Sequence, residues 1–331
     1  MSLPEFKLLR PRTLAEAVEL LASCSDVQIV AGGTGLVPSL KQRLFTPAYV
    51  LDIRRIAELR GIRNVPGQGT EIGALTTLTE IENSEHIRHD YPVLHEAATT
   101  VASPILRNMG TLGGNICLDT RCLWYNQSLT WRTSCGFCIK KDGDLCHVAP
   151  GGSKCWAVFS GDTPPALLCL DAELEIAGPA STRRVVLRDF YNNVGDARMK
   201  LAKNEIVARI LLPERTAGYR GSYRKLRLRG SIDYPLAGVA VALKRSNGHV
   251  EAARVAITAV NPAPLVVRGA EQELVGRAVT AENAAAVGEL AARTAKSLTT
   301  SALTPEYRRE MIRVFTRRAV LEAAKQSAGE S

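Results

Sequence analysis

Apolar positions recur at helical spacing in TLAEAVELLASC, and Thr13 with Glu16 makes a capping-box pair at its start. The next apolar run, VQIVAGG, is short, β-branched and closed by glycines, and AYVLDI has the same strand character. The first sixty residues therefore predict an α/β unit with a glycine turn after a strand. From Gly61 the chain mixes a strand, GTEIGAL, with the helical stretch LTEIENSEHIRHDYPVLHEAATTV, and reaches a second glycine loop, NMGTLGGN. Further on, PPALLCLDAELEIAG, STRRVVLRDF and NEIVARILLP predict strands separated by turns. Gly218 to Gly221 marks a boundary. Beyond it, Asn247-Gly248 lies between two apolar runs, a tight-hairpin signal. Two helices close the chain, AENAAAVGELAARTAKSL and TPEYRREMIRVFTRRAVLEAAK, the second opened by Thr304 and Pro305.

Composition narrows this picture. A chain of 331 residues exceeds the size at which one core keeps growing, so two or three subdomains are expected. Hydrophobic content of 46% beside 23% charge is that of a folded globular protein. No apolar run approaches the ~20 residues of a membrane helix, and the start lacks the order of an export signal. A cytoplasmic, reducing location is expected, where structural disulfides are rare.

The net charge of +9 raises nucleic acid as a partner. Part of the excess lies in the last helix, where Met311, Ile312, Phe315, Ala319 and Leu321 share a face and Arg308, Arg309, Arg313, Arg317 and Arg318 fall elsewhere. That pattern predicts a surface helix or one that docks on a partner subunit. Aromatics are only 5% and do not interleave with the basic residues, so no nucleic-acid platform is expected. An acidic electron donor would suit the same surface.

Five of the eight cysteines lie between Thr120 and Cys155, in a polar, turn-rich stretch with little core to bury them. Zinc sites pair their ligands in close couples, and only Cys135 and Cys138 form one, although His147 adjoins Cys146. The other spacings are wide and irregular, which an iron–sulfur cluster tolerates because a loop can wrap it. Cys24, Cys117 and Cys169 sit in apolar contexts and read as core residues.

The first glycine loop is IVAGGTGL: Ile29, Val30, Ala31, Gly32, Gly33, Thr34, Gly35 and Leu36. Adjacent glycines after a strand let the backbone approach a ligand and turn several N–H groups to one side. A dinucleotide fingerprint starting at Gly33-x-Gly35, with Asp52 beyond, matches weakly, because Pro38 stands where its last glycine belongs and no helix is evident at once. The second loop is TLGGN: Thr111, Leu112, Gly113, Gly114 and Asn115. Two such loops suggest an extended diphosphate held between two subdomains, as in FAD. Valine at Gly33 or at Gly113 is expected to abolish flavin binding equally.

This pair of loops resembles the pyrophosphate-binding loops of the FAD-carrying medium subunit of molybdenum hydroxylases, the group of the xanthine and carbon monoxide dehydrogenase flavin domains. The resemblance extends over nearly the whole chain, including YRKLRLRGSIDYPLAGVAVAL. It implies an α+β protein with the vanillyl-alcohol-oxidase-like FAD fold: an α/β subdomain at 1–60, a second FAD-binding subdomain at 61–217, and a C-terminal α+β domain at 218–331. It also implies two further flavin contacts, Asp162 in SGDTPPAL and Lys225 in YRKLRLRG.

Residues 118–160 interrupt the second subdomain, and a loop that long without structure of its own needs an internal staple. The insertion is similar to one in the 4-hydroxybenzoyl-CoA reductase branch of the family, whose loop binds [4Fe–4S]. That likeness implies Cys122, Cys138, Cys146 and Cys155 as ligands, with Cys135 a fifth candidate. It further implies an oxidoreductase subunit that carries no substrate chemistry, working with a large molybdopterin subunit and a small [2Fe–2S] subunit in a dimer of heterotrimers, and with reduced ferredoxin. Because both phosphate loops lie outside the insertion, FAD is expected to survive loss of the cluster. An oxidising hydroxylase subunit is the alternative within the family, and a zinc-stabilised nucleic-acid-binding protein the alternative outside it.

Overall fold

The computed structural model describes residues 2–326. Three sheets divide the chain. Strands β1 (Lys7–Leu9), β2 (Val27–Val30) and β3 (Tyr49–Asp52) form a parallel sheet in the order β1-β3-β2. Helices α1 (Leu14–Ser23) and α2 (Leu36–Lys41) accompany it. Thr13 caps α1 by accepting from Glu16 N, while Glu16 reaches back to Arg12 N instead of Thr13 N, so the capping box is formed one residue out of register.

The second sheet, β4-β5-β8-β6-β7, is antiparallel throughout: β4 (Ile62–Val65), β5 (Gly69–Gly73), β6 (Glu173–Ala177), β7 (Thr182–Val186) and β8 (Ile206–Pro213). Between β5 and β6 run the short helices α3 (Leu78–Glu82), α4 (Glu85–Asp90), α5 (Pro92–Thr99), α6 (Pro104–Arg107), α7 (Leu112–Ile116), α8 (Leu129–Ser134) and α9 (Thr163–Cys169), and α10 (Leu187–Phe190) follows β7. The segment PPALLC is helix α9, not the start of a strand. Pro164 and Pro165 stand in its first turn, where a missing N–H costs nothing.

The third sheet, β12-β11-β10-β9, is built from β9 (Arg220–Leu226), β10 (Ala237–Ser246), β11 (His249–Thr258) and β12 (Leu265–Val266), with α11 (Ala270–Leu274), α12 (Ala281–Thr294) and α13 (Pro305–Lys325). Asn247 (φ 51°) and Gly248 (φ 81°) make the hairpin turn, both left-handed as that turn demands. The first seven residues of β10 are buried without alternation, because this sheet has a core on each face. Ala240 and Ala242 face α9 and the second sheet, whereas Val239, Val241 and Leu243 face α12 and α13. Small residues on the first face, Ala240 and Ala242 of β10 and Ala256 of β11, let these two strands approach α9 closely.

The last helix has the basic surface expected of it at Arg309, Arg313, Arg317 and Arg318, which are exposed, and departs from it at one residue. Arg308 is fully buried and donates to the carbonyls of Leu236 (2.9 Å), Leu298 (2.9 Å) and Ala259 (2.6 Å). Burial alone lowers its pKa to about 10. No described helix is long and apolar enough to cross a membrane.

Candidate flavin site and cysteine centre

The first glycine loop leaves the carboxyl end of β2, the end of a parallel sheet where ligands gather. Gly33 is left-handed (φ +74°), and α2 begins three residues later with Gly35 as its N-cap. A helix does follow at once. Pro38 is its third residue, inside the turn whose N–H groups lack helical partners anyway. The N–H groups of Gly32, Gly33, Thr34 and Gly35 find no backbone partner among the described residues. Four consecutive free donors around a left-handed glycine are what an anion-binding nest requires. Asp52 is not available to a ribose: both its oxygens accept from Arg54, whose hydrogen bonds hold the carboxyl below its ordinary pKa.

The second loop lies against the first. A Cβ on Gly32 would fall 1.8 Å from Met109 O, and one on Gly110 would fall 3.8 Å from Thr34 Oγ1. Its donors, however, are engaged. Leu112 N donates to Thr76 O (2.9 Å), Gly113 N to Ala74 O (2.9 Å), and Asn115 N to Thr111 O (2.9 Å). Gly114 N donates to Thr111 Oγ1 (3.1 Å). Among the described residues, only Thr111 N of this loop has no partner. Gly113 is glycine because a Cβ would meet Ala74 Cβ and Ala74 O at 2.8 Å, a packing reason unrelated to a ligand.

Asn115 carries the second loop to the other expected contacts. Its Oδ1 accepts from Thr163 N (3.1 Å) and Thr163 Oγ1 (2.8 Å), which fixes the start of α9. Asp162, the N-cap of α9, accepts from Tyr223 Oη (2.7 Å) and Lys225 Nζ (3.0 Å), and Lys225 also donates to Thr100 O (2.9 Å). Both charged side chains are 3–4% exposed. Burial raises the Asp162 pKa despite the opposing Lys225 and Tyr223. Four segments distant in sequence thus meet in one continuous strip: Gly32–Gly35, Met109–Asn115, Gly161–Thr163 and Tyr223–Lys225. The donors of the first loop fit a diphosphate.

The insertion has more structure than its sequence promised, with α8 capped by Ser128 and a bridge pairing Arg121 with Val158. Cys122, Cys138, Cys146 and Cys155 are all buried, and all four line one pocket beside Trp124 and Tyr125. Cys135 is half-buried at the end of α8, outside that pocket. All eight cysteines are free thiols. Burial pushes the Cys122 and Cys155 thiols up to about 11, so a metal binding there would have to displace their protons. His147 stacks on Trp124 (centroids 4.3 Å apart), and its Nε2 meets Phe137 O. Among the described residues no three His, Cys, Asp or Glu side chains converge as ligands of one metal ion would. A cluster spreads its thiolates over four irons and does not need that convergence. Lys140 ties the pocket wall down through Asp119 Oδ1 (2.9 Å), Thr120 Oγ1 (2.6 Å) and Gly195 O (2.8 Å).

Known proteins share the fold. Residues 4–215 match the FAD binding domain in molybdopterin dehydrogenase, and residues 221–323 match the CO dehydrogenase flavoprotein C-terminal domain. The chain belongs to this family, as an FAD-binding medium subunit of the molybdenum hydroxylases and part of an oxidoreductase. The carbon monoxide dehydrogenase medium chain of Afipia carboxidovorans is 32% identical over 96% of both chains. That of Hydrogenophaga pseudoflava is 32% identical over 87% of this chain and 86% of its own. The reconstituted CO dehydrogenase from Oligotropha carboxidovorans superposes with a TM-score of 0.81 and 29% identity, covering 99% of this chain and 100% of that one. The expected α+β architecture, two FAD-binding subdomains and a C-terminal domain, therefore holds.

Proposed function

We propose that this chain is the electron-transfer subunit of a reductive molybdenum enzyme of the 4-hydroxybenzoyl-CoA reductase type, carrying FAD and a [4Fe–4S] cluster. The observation that carries this reading is the selection among the cysteines. Four of the five thiols in residues 118–160 are buried around one pocket, and the fifth, Cys135, is left out. Cys122, Cys138, Cys146 and Cys155 would hold the cluster. Gly32–Gly35 with Thr111 N would hold the FAD diphosphate, and Asp162 and Lys225 would border its ring. The cluster supplies one-electron steps, and the flavin accepts singly and stores a pair.

Removing a phenolic hydroxyl from an aromatic thioester needs low-potential electrons delivered one at a time, for which reduced ferredoxin is a fitting donor. The chain's own part is to hold the two groups and exclude water around them; substrate chemistry falls to a large molybdopterin subunit, reached through a small [2Fe–2S] subunit, in a dimer of heterotrimers. The likeness to carbon monoxide dehydrogenase medium chains favours a second reading, an oxidising hydroxylase subunit with FAD alone.

Iron and acid-labile sulfide analysis of anaerobically purified protein separates the two. About four of each per chain is expected, with loss on serine substitution at Cys122, Cys138, Cys146 or Cys155 and retention in Cys135→Ser. Iron-free protein with full flavin supports the second reading, and stoichiometric zinc overturns the cluster. Reduction of 4-hydroxybenzoyl-CoA by the assembled complex with reduced ferredoxin then tests the substrate.

A further inference from the structure

The cysteine insertion grips the flavin loop. Arg132, on α8 of the insertion, is 1% exposed, and its Nη2 donates to Arg43 O (2.8 Å) and Gln42 O (3.4 Å). Those two carbonyls are the C-terminal end of α2, the helix that begins at Gly35 of the first glycine loop. The end of α2 is a Schellman turn: Arg43 N donates to Leu40 O (3.0 Å) and Leu44 N to Ser39 O (3.0 Å). Its left-handed residue is Arg43 (φ 56°), where glycine is the favoured occupant, so the turn needs outside support. Support comes twice from the insertion. Arg132 binds the carbonyls, and Leu44 is buried among Cys122, Cys138 and Cys155.

Arg132 is itself poorly compensated. Its Nε and Nη1 have no hydrogen-bond partner, and its one carboxylate neighbour, Asp142 Oδ2, lies 4.0 Å from Nη1. Four thiolates on a cluster would bring net negative charge to the insertion that carries Arg132, which favours a buried guanidinium there.

We propose that Arg132 is a positioning residue that couples the four-cysteine centre to flavin binding: an ordered, iron-loaded centre seats Arg132 and Leu44, which fix the end of α2 and so the donors of Gly32–Gly35. This rests on the flavin and cluster assignments above, and it replaces the expectation that FAD is indifferent to the cluster. Removing iron from the wild-type chain should weaken FAD binding by about tenfold, a coupling of ordinary size. Arg132→Met should weaken FAD several-fold with iron content unchanged, and iron removal should then have a smaller further effect, the part that Leu44 carries. Arg132→Met/Arg43→Gly should regain affinity, because glycine makes the turn without help.

The measurement is FAD affinity by fluorescence titration of the full chain, iron-loaded and chelator-stripped, for the wild type and these variants, with iron content and thermal unfolding recorded alongside. Wild-type affinity in Arg132→Met overturns the proposal. So does an equal loss on iron removal in the wild type and Arg132→Met, or a double variant no better than the single one. If Arg132→Met lowers the unfolding temperature, the rescue by Arg43→Gly decides, since a general loss of folding would not be repaired there. Absence of iron from the wild type sinks the cluster assignment and leaves the Arg132→Met and rescue comparison to stand or fall on its own; absence of flavin sinks the site itself.

Discussion

The two glycine loops look alike in sequence and lie side by side, yet they do different things. IVAGGTGL leaves four consecutive N–H groups without backbone partners, and Gly33 adopts a conformation that other residues rarely reach. TLGGN satisfies its donors at Leu112, Gly113, Gly114 and Asn115 within the protein, and Gly113 is small so that α7 can lie against Ala74. One loop is built to bind and the other mainly to hold. The second loop holds because it heads the strip that runs through Asn115 and Thr163 to the buried Asp162–Lys225 pair.

The largest effect should come from breaking the far end of that strip. Lys225→Met leaves the Asp162 carboxylate buried beside Tyr223 alone, which costs about 3–5 kcal/mol. The cost should depend on pH. The folded pKa of Asp162 lies above its ordinary 3.8 because burial outweighs Lys225 and Tyr223, so the folded chain binds this proton more readily than the unfolded chain. Stability attributable to Asp162 therefore falls as pH rises from 3.8 through the folded value and is level above it. Removing Lys225 should extend the falling range upward. Urea unfolding between pH 4 and 8 should show the variant losing more stability across that range than the wild type; parallel profiles would mean that Lys225 does not compensate Asp162.

Next come the paired glycine substitutions, which are no longer expected to behave equally. Gly113→Val drives side-chain atoms into Ala74 and should cost at least 1–3 kcal/mol of stability, with flavin lost only as a consequence. Gly33→Val meets no contact closer than 3.5 Å, but it places a β-branched residue at φ +74°. It should lose flavin absorbance near 450 nm while unfolding within a few degrees of the wild type. Folded, flavin-replete Gly113→Val protein would erase the distinction between the loops.

Much of this was legible in the sequence, and the failures share a cause. The hairpin at Asn247-Gly248 and the α1 cap follow from local chemistry that the fold leaves alone. The four cysteines that share a pocket came from the family resemblance, because local spacing favoured the Cys135–Cys138 couple. PPALLC misled because a short apolar run has no period that separates buried helix from buried strand. Arg308 misled because charge reads as surface, while it is buried against backbone carbonyls contributed by distant segments. Arg132, which nothing in the sequence singled out, is buried in the same way. The role of Gly113 was hidden for the same reason: Ala74 lies in a different element, and only the fold brings it within 2.8 Å of where a Cβ would stand.

The smallest effect tests the comparison most finely. Thr111 belongs to the second loop, and its hydroxyl accepts from Gly114 N, capping α7. A ligand-binding hydroxyl and a capping hydroxyl look identical in TLGGN, but they fail differently. Thr111→Ala removes the cap and keeps the backbone N–H, so it should cost about 1 kcal/mol. Thermal unfolding should fall by roughly 2–4 °C, and FAD affinity should change by less than about threefold, well under 1 kcal/mol. If affinity instead drops far more than stability, the Thr111 hydroxyl touches the diphosphate. The second loop would then be a binding loop in its own right, despite donors already turned inward.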